Sequence, residues 1–185
     1  MKLRKLTLTG VLTAAALVMF LLEAQLPPLT SIPGIKPGLS NIFTLFAMEA
    51  LGPGWAFALL LVRITLGSVI TGQMSAMLYS LAGGLAAFAV MLALRRALRG
   101  DRLWIKSVLC AAAHNLGQLT AASAVAGTSA IWYYLPVLML AAILAGSLTG
   151  LCTQLILARL QRAGLLPATH NKHKEQSEQE EEPNG

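Results

Sequence analysis

The sequence predicts an all-α integral membrane protein, a bundle of six transmembrane helices with both termini in the cytoplasm. Three observations carry this expectation. The 185 residues are 56% hydrophobic and only 12% charged, where a soluble domain carries about 25% charged residues. Uncharged stretches such as 64–94 are too long to hide inside one small soluble core. The positive charges also fall into groups separated by apolar runs, as topology requires. Topology accounts for the net charge of +6, so no nucleic acid partner is implied. The domain organisation expected is a six-helix membrane domain over 1–166 and an acidic tail over 167–185.

A bilayer core of about 30 Å takes about 20 helical residues, which places spans at about 6–26, 38–51, 55–70, 76–94, 104–126 and 132–160. Lys2, Arg4 and Lys5 precede the first. The run is long, and Glu23-Ala24-Gln25 is a poor signal cleavage site, so a retained first helix is expected. Gly10 and Ala14 lie on it at small-xxx-small spacing, a strip on which another helix can pack closely. That helix belongs either to this bundle or to a separate membrane protein.

The segment 27–37 contains four prolines, one glycine and Lys36, and reads as a loop. The second span is short, with Asn41 in its first turn and Glu49 near its end. Gly52-Pro53-Gly54 makes a turn into the third span, which carries Arg63 near its middle. An arginine at that depth costs at least about 2.5–3.5 kcal/mol, so it needs a partner. Three readings stay open: an ion pair with Glu49, snorkelling to the interface, or a counter-charge for an anionic ligand.

A polar turn with Gln73 follows. The fourth span presents Ser80, Gly83, Gly84 and Ala87 on a small-residue face and ends in a basic run from Arg95 to Lys106. The fifth span holds the feature around which the chain is organised: His114, Asn115 and Gln118. At about 100° per residue, Gln118 lies roughly 40° from His114 and Asn115 roughly 100° from it. Three hydrogen-bonding side chains thus share one arc at membrane depth. Lipid cannot satisfy them, so that arc faces protein or a cavity. The sixth span opens with Trp132, Tyr133 and Tyr134, an interfacial aromatic belt or the mouth of the cavity. It contains a Gly146–Gly150 pair, extended by Ala142 and Thr153, that serves close packing inside the bundle or dimerisation. Cys110 and Cys152 lie in apolar stretches and are expected to be reduced. The tail, with five glutamates, is expected to be solvated, and His170 and His173 in it are not counted as a metal site.

The charges orient the chain. Lys2, Arg4, Lys5, the run Arg95–Lys106, Arg159, Arg162, Lys172 and Lys174 fall inside, leaving Lys36 outside. Lys36, Gln73 and the Tyr133–Tyr134 pair then form an outer mouth, from which a polar path leads to Asn41, Arg63 and the His114 group. No GxxxxGK[ST] loop, no HExxH and no Cys/His metal spacing occurs, so no cofactor and no metal are implied.

Several strings are specific together: Pro33-Gly-Ile-Lys-Pro-Gly-Leu-Ser-Asn41, Arg63-Ile-Thr-Leu-Gly-Ser68, Ser80-Leu-Ala-Gly-Gly84, Ala113-His-Asn-Leu-Gly-Gln118 and Tyr133-Tyr-Leu-Pro136. In this order they resemble the Gx transporter family, also named heptaprenyl diphosphate synthase component I, over roughly residues 5–163. Members are similar to the substrate-binding S components of energy-coupling factor (ECF) importers. The resemblance implies an S-component-like bundle whose first helix docks, through Gly10 and Ala14, on a transmembrane coupling protein driven by partner ATPases.

The second name suggests prenyl diphosphate synthesis. All-trans prenyl synthases hold magnesium with aspartate-rich clusters, and a hard cation on a diphosphate needs such carboxylates. The chain has a single aspartate, Asp101, so it is read as a non-enzyme. The expected function is capture of a small anionic or amphipathic molecule, with Lys36, Asn41, Arg63, Gln73, Ser80, His114, Asn115, Gln118, Tyr133 and Tyr134 as candidate binding residues. The alternative is a non-catalytic membrane accessory protein of isoprenoid or quinone synthesis or extracellular electron transfer, partnered by a prenyl synthase or a redox protein.

Overall fold

The computed structural model describes residues 2–25, 38–72, 74–97 and 102–164. The expected loop 27–37, with Lys36, the turn residue Gln73, Asp101 and the tail 167–185 lie outside the described residues. All regular structure among the described residues is helical: α1 Lys2–Gln25, α2 Asn41–Ala50, α3 Pro53–Thr71, α4 Met74–Ala97, α5 Leu103–Ala126, a short 3-10 segment Ser129–Tyr134, and α6 Leu135–Arg162.

The exterior is apolar. Leu140, Leu144 and Leu155 of α6 are 65%, 74% and 65% exposed, and Leu3, Val11, Val18 and Leu22 line the open side of α1. A face of this kind has no stable place in water and is the ordinary surface of a lipid-embedded helix. Among the described residues, four helical segments are long and apolar enough to cross a membrane: Leu3–Gln25, Pro53–Thr71, Met77–Arg95 and Ser129–Arg162. The protein is therefore a multi-pass membrane protein by length and composition. α5, also 24 residues long, is outside that group because its inward polar residues lower its hydropathy.

α2 has 10 residues, about 15 Å at 1.5 Å per residue, half of a bilayer core of about 30 Å. The last candidate span, Ser129–Arg162, opens with the 3-10 segment before α6 begins at Leu135, and Thr128 caps that segment, its Oγ1 accepting from the Ala130 N–H at 3.2 Å.

The interior shows why α4, α5 and α6 pack most extensively. A Cβ on Gly146 would lie 2.7 Å from the Val108 Cα, and one on Gly150 2.5 Å from the Trp104 Cα. The glycine pair thus seats α6 directly on the backbone of α5, and Ala142 and Thr153 on the same side are fully buried. On the opposite side of α5, a Cβ on Gly117 would meet the Ala82 carbonyl oxygen at 2.7 Å. The Gly146–Gly150 pair therefore serves packing inside the chain. Gly146→Leu is expected to wedge α5 from α6 and cost about 1–3 kcal/mol, as overpacking does, read as a lower midpoint of thermal unfolding in detergent.

The core has layers. Ala56 and Leu59 of α3, Ala87 and Met91 of α4 and Cys110 of α5 belong to one apolar cluster with Leu45 and Met48 of α2. Tyr79, Leu119, Ala122, Ile131 and Leu138 form another. Along α4 and α5, Ser80, Gly83, His114 and Gln118 fall between the two. Cys110 is buried, Cys152 is half-buried, and both are free thiols.

Candidate functional site

The polar layer is built from four helices. His114, Asn115 and Gln118 of α5 are 3%, 0% and 1% exposed, so the arc expected from their spacing does face inward. Asn115 Nδ2 donates to the Leu138 carbonyl at 2.6 Å, tying α5 to α6. The imidazole of His114 hydrogen-bonds the backbone of Gly83. It also lies against Gly38, where a Cβ would come within 3.1 Å of its Cδ2 and 2.9 Å of Asn41 Nδ2. Gly38 has φ +80°, so both its conformation and its neighbours demand glycine. Gly83 is equally tight: a Cβ there would lie 2.7 Å from both Gln118 Cγ and the His114 carbonyl oxygen. Ser80, one turn before Gly83, is buried on the same face.

Arg63 of α3 is 2% exposed. Its Nη1 donates to Ser40 Oγ and its Nη2 to Asn41 Oδ1, the latter at 3.1 Å. The possible ion pair with Glu49 is not formed. Glu49 accepts from Lys106 Nζ at 3.0 Å, because α2 carries Glu49 at the end opposite Asn41. Snorkelling is likewise excluded by the burial of Arg63.

Lys106, counted from the sequence as the end of the basic run on the inner side, turns inward. It belongs to α5, is 2% exposed, and among the described residues is the largest fully buried side chain. A second residue escaped sequence reasoning. Glu23 of α1 is 3% exposed, and its carboxylate accepts from the backbone N–H groups of Leu39 and, at 3.3 Å, Ser40. It thereby satisfies the N–H groups of the two residues that lead into α2, which have no helical partner. The only signal was a lone carboxylate at the end of an apolar run, which reads equally well as an interfacial residue.

The remaining candidates separate from this cluster. Tyr133 is 87% exposed. Tyr134 is half-buried and packs with the Leu119–Leu138 cluster. Gly10 has open space where a Cβ would stand, and Ala14 is exposed. The strip on α1 thus faces out of the bundle, and packing within this chain is not its use. What holds α1 in place is Phe20, whose ring would meet a Cβ on Gly67 of α3 at 2.6 Å.

Several atoms of the layer stay unmatched. Among the described residues, no protein group meets Gln118 Oε1 or Nε2, Asn115 Oδ1, His114 Nδ1 or Arg63 Nε. A buried polar atom left unmatched costs about 1–3 kcal/mol, and such atoms are rare in native proteins. Beside Asn41, between α2, α5 and α6, lies a cavity of about 10 Å³ bordered by Leu45, Cys110, Ala111, Gly146 and Thr149. That is about the room of one water.

An apolar exterior, membrane-length helices and an inward polar layer define a multi-pass helical membrane protein with a hydrogen-bonding centre. Residues 12–156, well over half of the chain, match the family described as heptaprenyl diphosphate synthase component I. The chain belongs to that family. No curated protein and no solved structure matches it.

Proposed function

We propose that the chain is the substrate-binding subunit of a membrane importer, resembling the S components of ECF importers, and that it captures a small amphipathic molecule from outside. The unmatched amide of Gln118, with the free acceptor of Asn115 and the free nitrogen of His114, is the observation that carries this reading. Nothing in lipid rewards placing such groups at depth, whereas a ligand with a polar head does. The apolar clusters on either side would receive the rest of the molecule.

In this reading α2 and α5 complete six spans, with α2 embedded in the bundle, and both termini lie in the cytoplasm of a cell-membrane protein. Energy would come from a separate coupling protein and ATPases, since the chain lacks a nucleotide loop. The outward strip of Gly10 and Ala14 is then the docking face. Gly10→Leu is expected to leave thermal stability within about 0.5 kcal/mol, as exposed sites do, while reducing co-purification of the coupling protein. The chain would be non-catalytic, a single aspartate being too little for a diphosphate–magnesium site.

The test is retention. Protein purified from its native membrane should carry a small molecule detectable by mass spectrometry. Gln118→Ala should weaken retention by roughly tenfold, the equivalent of about 1.4 kcal/mol. A protein that retains nothing, and instead co-purifies with a prenyl synthase or redox protein, would replace this reading with the accessory role.

A further inference from the structure

The centre of the molecule holds an anion site that the chain fills itself. Two positive features converge there: the Arg63 guanidinium and the amino end of α2, where the leading N–H groups of Leu39 and Ser40 carry partial positive charge. Such convergence is where an anionic group binds, including at broken helices in membrane transporters. Here the carboxylate of Glu23 takes the place. It accepts from the N–H groups of Leu39 and Ser40, while Ser40 Oγ accepts from Arg63. One residue, Ser40, thus touches both charges, and Glu23 is the carboxylate whose charge acts on Arg63. Among the described residues, Glu23 is the only buried acid.

We propose that Glu23 is the built-in counter-ion of the site and determines its selectivity. The site accepts an uncharged head that offers both an acceptor and a donor, such as a carbonyl beside an N–H or O–H, and rejects anions. This rests on the binding-subunit reading. A second anion would stand beside the Glu23 carboxylate in a buried, low-dielectric layer with only Arg63 to balance both, and like charges so placed repel strongly. Apart from Arg63 Nε, part of the guanidinium that Glu23 already balances, the groups left open are neutral: the Gln118 amide, which both donates and accepts, Asn115 Oδ1 and His114 Nδ1.

Chemical rescue tests it. Glu23→Ala leaves space for one small acid beside Arg63 and the amino end of α2. In the purified full chain this variant should unfold at a lower temperature. Sodium acetate should return most of the loss, and acetamide or sodium chloride at equal concentration none. If the variant does not accumulate, acetate present during membrane solubilisation should restore its yield, and Glu23→Asp should be closer to wild type than Glu23→Gln. Absence of a selective acetate effect on either stability or yield overturns the proposal. A second arm separates it from the importer reading. A retained molecule with an uncharged head supports the proposal. A retained carboxylate or phosphate whose retention is lost in Arg63→Gln overturns it and leaves the binding subunit standing. A wild-type protein that retains nothing overturns both.

Discussion

Arg63→Met is expected to destabilise the protein by about 3–5 kcal/mol, the cost of leaving one member of a buried charge pair alone. The stranded group is Glu23, which would then lie buried with only backbone N–H donors around it. Adding Glu23→Gln should recover a large part of that loss, because the uncompensated carboxylate is gone. Thermal unfolding of the two single variants and the double variant in detergent gives the coupling directly. Strictly additive losses would show that the two side chains do not share energy through Ser40.

A loss somewhat below the ~3–5 kcal/mol of breaking a fully buried pair is expected from Lys106→Met. Lys106 is fully buried and Glu49 is 18% exposed, so solvent softens the penalty on the stranded carboxylate. Replacing both, as Lys106→Met with Glu49→Leu, should cost much less than the lysine change alone, since paired burial of charge is often no more stable than apolar packing of the same volume. The same unfolding measurement applies. A double variant as damaged as the single one would mean that the lysine stem, rather than its charge, holds α5 against α2.

The parts legible in the sequence were those governed by period. The 3.6-residue repeat put His114, Asn115 and Gln118 on one side of one helix, and all three are buried. It also put Gly146 and Gly150 on one side, and both meet the backbone of α5. The parts that were not legible depend on partners far along the chain. Glu23 is buried because Leu39, 16 residues on at the approach to α2, comes to rest beside it. Lys106 is buried because Glu49, 57 residues back, comes to rest beside it. Neither separation leaves a mark in the local pattern, and a charge at the end of an apolar run reads as interfacial by default. The partner of Arg63 stayed open for a related reason. Glu49 and Asn41 belong to the same short helix, but its two ends are about 12 Å apart by helical rise, and only one of them can stand at the depth of Arg63. The side that Gly10 and Ala14 face stayed open because small residues say that a close approach is possible, not from which side it comes.

The stiffness of the molecule is unequal from one flank to the other. α4, α5 and α6 are seated backbone on backbone at Gly117, Gly146 and Gly150, with Gly83 pressed on the His114 carbonyl, and such a slab has no slack to give. α2 is half as long and is held at its two ends by polar ties, to Glu23 and Arg63 at one and to Lys106 at the other. Room for a guest larger than a water must therefore be made on that flank, by letting go of one tie or the other while the slab stays still.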